Sequence, residues 1–199
     1  MSIALMTFDI FGTVIDWRRG LGLSDGDFER VVDRQGELEK QAFRPYAEIV
    51  AQSLIDVVGF PAAEAARVGS EVGRWPLYPD SASALRRLRA IAPCAATTNS
   101  DRAHRPQVEE QLGFALDGWI CAEEVRAYKP DPRIWREAAR RLAVPMNRDW
   151  WHVSAYADYD LEAARALGLT CVFVKRPHAR PEPADLVVED LAALAKIAR

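Results

Sequence analysis

Asp9 ends an apolar run, Ile3-Ala4-Leu5-Met6-Thr7-Phe8, and opens onto a turn that contains Gly12. A carboxylate held at a strand end is presented rigidly, and carboxylates so placed act as nucleophiles in several hydrolases and phosphoryl-transfer enzymes. Taken alone, the same Asp-x-x-Gly can do no more than shape a turn. Further polar groups fall where other strand-like runs give way to loops. They are Thr13 in the first loop, Thr97-Thr98-Asn99-Ser100, Ala127-Tyr128-Lys129-Pro130-Asp131, and Ser154-Ala155-Tyr156-Ala157-Asp158-Tyr159-Asp160. In a doubly wound sheet all of these ends converge on one crevice.

The elements that must position these groups follow from periodicity. Short apolar runs rich in β-branched residues alternate with helical patterns, which predicts βα units and a parallel sheet, an α/β fold of Rossmann-like type. The expected strands are Ile3 to Phe8, Cys94 to Thr98, Trp119 to Cys121, Trp151 to Ser154, Cys171 to Val174 and Leu186 to Val188. Helices are expected from Ser81 to Ala90, after an Asp131 N-cap with Pro132 at the first helical position, and from Leu161 to Leu167 with a stop at Gly168. Residues 17–77 read as helical throughout (Phe28 to Lys40, Pro45 to Val58, Ala62 to about Val72), far too long for an ordinary βα connection. The expected organisation is therefore a core of residues 1–16 and 78–199 with an inserted helical cap of residues 17–77. Arg176 to Pro183 reads as a stiff surface loop.

Bulk properties exclude several classes. At 199 residues the chain suits one core, or a core with a small accessory domain. The 26 basic and 29 acidic side chains are well mixed, with a net charge of −3. No basic stripe suggests nucleic acid, and no apolar run approaches the ~20 residues that span a bilayer. The N-terminus has no charged leader. Cys94, Cys121 and Cys171 look like small buried hydrophobes in a reducing compartment, without metal-ligand spacing. The chain is expected to be soluble and cytoplasmic.

The ordered set of strand-end motifs, with a helical insertion between the first two, resembles the haloacid dehalogenase-like hydrolase superfamily over nearly the whole chain. The words Phe8-Asp9-x-Phe11-Gly12-Thr13-Val14-x-Asp16-Trp17, Tyr78-Pro79-Asp80-Ser81 and Tyr128-Lys129-Pro130-Asp131 look most like its 2-haloacid dehalogenase branch. That resemblance implies Asp9 as a nucleophile forming an ester that water then hydrolyses. It implies Lys129 as the cation that keeps Asp9 ionised, and Asp160 as its orienter or as the activator of the water. Thr13, Thr98 and Asn99 would hold the Asp9 carboxylate or a substrate carboxylate. A cap arginine would receive the halide or the substrate carboxylate: Arg34, or Arg44 as its rival. Phe11, Trp17 and Tyr156 would line the site. Taken singly, Thr97 to Ser100 is an ordinary strand-to-turn sequence, Lys129 a solvated lysine, and Asp160 an N-cap for the following helix. His152 reads as a satisfied core histidine, and His104 and His178 show no partner pattern.

Departures from the superfamily pattern bear on the reaction. Its phosphatases carry a second aspartate two residues after the nucleophile, where this chain has Phe11, which moves no proton. They also bind Mg²⁺ through an acidic residue early in the fourth motif, where this chain has Ser154-Ala155. A halide leaving group needs no proton, so the expected activity is cofactor-free hydrolytic dehalogenation of a small 2-halo carboxylic acid. The alternatives are a Mg²⁺-dependent phosphatase acting on a small phosphate ester, or a member without turnover that binds an anion or a protein partner. The fourth motif is unusual for dehalogenases too: Tyr156 stands four residues before Asp160, so its loop is one residue longer. The partner expected is a small anionic substrate, and the resemblance admits a homodimer.

Overall fold

The computed structural model describes residues 3–181 and 183–198. Met1, Ser2 and Arg199 of the expected core segments, and Glu182 of the expected surface loop, lie outside them. Among the described residues six parallel strands form one sheet in the order β3-β2-β1-β4-β5-β6: β1 Leu5–Phe8, β2 Cys94–Thr98, β3 Gly118–Cys121, β4 Trp150–Ser154, β5 Thr170–Val174 and β6 Leu186–Val188. This is the Rossmann-like, doubly wound α/β arrangement. Its strand order reverses about β1, which opens a crevice at the carboxyl end of that strand. Asp9 continues the ladder there, its backbone N–H bonding Val153 O at 3.0 Å.

Because side chains alternate along a strand, β1 feeds two cores. Met6 and Phe8 join the larger one, which is continuous with Phe11, Trp17, Phe28, Ile49 and Leu54. Leu5 joins the other, with Ile120, Trp135, Trp150 and Phe173. Thr7, on the Leu5 side, points toward strand β4, where it becomes part of the site described below.

Between β1 and β2 lie α1 Trp17–Leu21, α2 Asp25–Glu39, α3 Tyr46–Val58 and α4 Ala62–Ser70, followed by a 3₁₀ turn, Val72–Arg74. Helix α2 starts after Ser24, whose hydroxyl accepts from Asp27 N. The start of α3 is capped from across the fold. The Asp101 carboxylate accepts from Tyr46 N and Ala47 N, each at 2.8 Å. Tyr128 Oη donates to Arg44 O at 2.7 Å, and His104 Nε2 bonds Gly69 O at 3.2 Å. The helical segment is thus stitched to the loops after β2 and β3. His104, which shows no partner pattern in the sequence, is a buried strut of this seam.

The remaining helices are α5 Ser81–Arg89, α6 His104–Leu112, α7 Ala122–Val125, α8 Arg133–Leu142, α9 Glu162–Ala166 and α10 Leu191–Ile197. Helix α8 begins one residue later than expected, with the Asp131 carboxylate still accepting from Arg133 N at 2.9 Å. Helices α1 and α6 lack a clear apolar repeat in the sequence and take their order from tertiary contacts. Among the described residues no helix is long and apolar enough to cross a membrane, and all three cysteines are buried and free.

Candidate active site

Asp9 is 3 % exposed and each of its oxygens has a donor. Oδ2 accepts from Thr13 Oγ1 at 2.9 Å and Oδ1 from Lys129 Nζ at 3.0 Å. Thr13 Oγ1 in turn accepts from Ala155 N at 3.0 Å, so the first and fourth motifs lock together. The backbone of the first loop is held from outside by Arg176. Its guanidinium donates to Thr13 O and pairs with both oxygens of Asp80, while Ser81 Oγ donates to Val14 O. The segment Tyr78-Pro79-Asp80-Ser81 thus fastens the loop that carries Asp9.

Lys129 uses all three of its N–H donors. They go to Asp9 Oδ1, to Asp160 Oδ2 at 2.7 Å and to Thr97 O at 3.1 Å. Asn99 fixes the lysine's backbone, its Oδ1 accepting from Lys129 N at 2.7 Å. Behind Asp160 runs a directed chain of hydrogen bonds. Trp150 Nε1 donates to Thr7 Oγ1 at 2.8 Å, and Thr7 Oγ1 bonds His152 Nδ1 at 2.9 Å. His152 Nε2 bonds Asp160 Oδ1 at 2.8 Å. A carboxylate accepts only, so Nε2 carries the proton and Nδ1 accepts from the threonine, an assignment made from the network. His152 is a core histidine with both nitrogens satisfied, and its task is to aim Asp160.

Burial weighs most on all three charges, and neighbours decide the outcome. For Asp9 it pushes the pKa up, Asp160 adds to that, and Lys129 opposes it without fully reversing it. For Asp160 burial is outweighed by Lys129 and His152, which bring the carboxyl down to about 2. For Lys129 the two carboxylates overcome burial and hold the ammonium above its usual value. The desolvation that raises Asp9 favours any step that consumes its charge.

The fourth motif's extra residue has a structural form. Ala157–Leu161 is a π-helical turn, the geometry by which a helix absorbs one inserted residue. It brings Asp160 round to Lys129. The carboxylate therefore caps no helix, and in this the structure corrects the N-cap reading.

The cavity in front of Asp9 has a volume of about 490 Å³ and is walled by Phe11, Trp17, Tyr46, Tyr128, Tyr156 and Tyr159, with Gln35, Glu39 and Asn99 among its polar groups. Gly12 makes this wall possible. Its φ is +87°, and a Cβ there would lie 2.5 Å from the Tyr156 ring and 2.9 Å from Trp17 Nε1. Gly12→Ala is expected to lower stability by about 1–3 kcal/mol and to reduce turnover by displacing Tyr156. Thermal unfolding beside an activity assay checks both.

A family model for the haloacid dehalogenase-like hydrolases matches residues 3–168. The chain belongs to the haloacid dehalogenase-like hydrolase family. Among its relatives, (S)-2-haloacid dehalogenase H-109 of Pseudomonas putida is 34% identical over 102 residues, 50% of this chain and 45% of that protein. (S)-2-haloacid dehalogenase 4A of Burkholderia cepacia is 32% identical over 108 residues, 53% and 46% of the two chains. The chain's match thus spans about half the length of these curated relatives. A solved L-2-haloacid dehalogenase superposes with a TM-score of 0.85 at 26% identity, covering 98% of this chain and 99% of its own.

Within this haloacid dehalogenase-like framework the residues expected at the site divide. Asp9, Thr13, Lys129 and Asp160 form one hydrogen-bonded cluster, while Phe11, Trp17, Asn99 and Tyr156 line the cavity. Thr98 does not: it is fully buried, its hydroxyl has no partner among the described residues, and it is absent from the cavity wall. Arg34 is also displaced, bonded to Asp56 and Glu37 on the outer side of α2. The wall takes Val32, Gln35, Gly36 and Glu39, a stripe at helical spacing. Arg34 lies about 100° round the helix from Gln35 and falls off that stripe. Arg44 is no substitute, since it too is absent from the wall. Read as a stripe, α2 could have yielded Gln35 and Glu39 from sequence.

The donor set does not suit Mg²⁺. Asp160 has both oxygens engaged by Lys129 and His152, and Lys129 Nζ fills the space between the two aspartates. Asp158 is turned to the cavity rim near Arg180. Among the described residues no three His, Cys, Asp or Glu side chains gather as a metal site.

Proposed function

We propose that this protein hydrolyses the carbon–halogen bond of a small 2-halo carboxylic acid without a metal, through an ester on Asp9. The observation that carries this reading is the buried Asp9–Lys129 pair at the floor of an aromatic cavity whose neighbouring position is Phe11, a residue that can supply no proton to a leaving group. The curated relatives named as (S)-2-haloacid dehalogenases support it over the aligned half. In this reading one Asp9 oxygen attacks the carbon that bears the halogen and the halide leaves as an anion, which needs no general acid. Lys129 and Thr13 hold the attacking carboxylate in line, and Asn99 holds Lys129. Asp160, with His152 behind it, acts as a positioning residue. Residues 17–77 serve as the cap that closes the cavity over the substrate, and the three free, buried cysteines suit a reducing cytoplasm.

Purified protein is expected to release halide from chloroacetate, bromoacetate or (S)-2-chloropropionate, with turnover unaffected by a chelator. No halide from these or from fluoroacetate, or chelator-sensitive hydrolysis of an aryl phosphate instead, overturns the reading. Size-exclusion of the same sample tells a homodimer from a monomer.

A further inference from the structure

We infer that the preferred acid carries an apolar substituent of about benzyl size on the carbon that bears the halogen, and that Gly36 of α2 leaves the room for it. The inference rests on the dehalogenation reading above and names the class of acid within it. A 2-chloropropionate ion needs roughly 100 Å³, the room of three or four waters. The cavity offers about 490 Å³, a volume that encloses much larger ligands.

The face that α2 turns to the cavity runs Val32, Gln35, Gly36, Glu39 and Lys40, with Gly36 at its centre. Glycine is the least favourable residue after proline in a helix interior, so its presence there calls for a reason. Backbone conformation is not the reason: Gly36 has no positive φ, and the helix is capped four residues on, at Lys40. Close packing is not the reason either. A Cβ at Gly36 would meet no atom within 4 Å among the described residues, whereas one at Gly69 of α4 would lie 2.2 Å from Ala47 O. What the missing side chain leaves is space, and that space belongs to the cavity.

The surroundings are suited to an apolar group. Tyr46 Oη donates to Gln35 Oε1 at 3.0 Å, and Gln35 Nε2 donates to Ser53 Oγ at 3.3 Å. Tyr128 Oη is spent on Arg44 O, and Glu39 accepts from Asn99 Nδ2 at 3.2 Å. The polar tips are thus engaged within the wall, which leaves ring faces to line the space. Those rings also brace one another, Phe11 against Tyr46 with centroids 5.7 Å apart and Trp17 against Tyr156 at 5.5 Å. Side chains on a helix lean toward its N-terminus, so a larger residue at position 36 would cover the wall beside Val32 and Gln35.

The test pairs (S)-2-chloro-3-phenylpropionate with (S)-2-chloropropionate, which share halide and configuration. Wild-type kcat/KM is expected to favour the phenyl acid by about 10-fold or more, mostly through KM, as burial of an aromatic group allows. Gly36→Leu is expected to lower that ratio by on the order of 10–100-fold. It should melt no lower than wild type, because leucine suits a helix better and displaces nothing. Binding reads the pocket without turnover. By calorimetry, 3-phenylpropionate should bind wild type about 10-fold or more tighter than propionate, and Gly36→Leu should erase the difference. A wild-type preference for 2-chloropropionate, equal binding of the two halogen-free acids, or an unchanged ratio in Gly36→Leu overturns the inference while halide release leaves the proposed function standing. A Gly36→Leu variant that melts well below wild type overturns it too, since the space would then not be free. Halide from neither acid, with 3-phenylpropionate still held more tightly in wild type alone, sinks the proposed function and not the pocket.

Discussion

Lys129→Met is expected to slow turnover by roughly 10³-fold or more and to destabilise the fold by about 3–5 kcal/mol. Methionine matches the length of the stem and removes only the ammonium. What remains is Asp9 and Asp160, 3 % and 0 % exposed, with no cation between them. Uncompensated buried carboxylates take up protons instead of staying charged. That gives the variant a distinctive pH dependence. In the wild type the Asp160 pKa lies near 2, below the 3.8 of an unperturbed aspartate. Its contribution to stability is therefore present above about pH 4 and is lost as pH falls toward 2. In the variant Asp160 joins Asp9 above the unfolded value, so stability falls more steeply as pH rises from 4 than it does in the wild type, where only the raised Asp9 and Glu39 carboxyls act in that direction. Thermal melts of both proteins between pH 4 and 8 read the difference directly. Parallel curves would show that Lys129 is not the charge that holds the two aspartates.

Much of this site could be read from sequence because its members stand at strand ends. A carboxylate, a lysine and a second carboxylate in chain order are one-dimensional signals, and a parallel sheet brings such ends together whatever lies between them. The sheet itself was legible from short apolar runs for the same reason. The cap was harder. Its helices declare themselves by period, yet the identity of the residue facing the cavity depends on rotation about the axis, and one position is worth about 100°. Arg34 has the expected chemistry on the wrong side of α2, whereas Gln35 and Glu39 face the cavity. Support from behind was not legible either. Thr7 and His152 read as interior strand residues and Trp150 falls one residue before its expected strand, and nothing in their types tells that they form one hydrogen-bonded chain ending on Asp160. Thr98 fails for a further reason. Side chains alternate at a strand end, so of two adjacent polar residues only one can face the crevice, and here Asn99 lines it while Thr98 is buried.

Asp9→Asn is expected to abolish halide release, by on the order of 10⁴-fold or more, while leaving the protein folded. An amide is a far weaker nucleophile than a carboxylate, and no other carboxylate in the cavity is both paired with Lys129 and held by Thr13. Stability should move little, because two effects oppose. Burial holds the Asp9 pKa above its ordinary value, so the charged carboxylate is disfavoured where it stands, and a neutral isostere relieves that. Against this, the amide nitrogen must face either Lys129 or Thr13 where an acceptor stood, losing about one hydrogen bond, roughly 1 kcal/mol. Removing the negative charge also lowers the repulsion that an anionic substrate meets at the cavity floor, so (S)-2-chloropropionate should bind the variant at least as tightly as wild type. Tight binding without turnover is what separates the enzyme from a member that only captures anions. In such a member Asp9→Asn would alter no reaction, since the wild type would already release no halide. An enzyme, by contrast, shows wild-type turnover, a silent variant and retained binding in the same set of calorimetric and halide measurements.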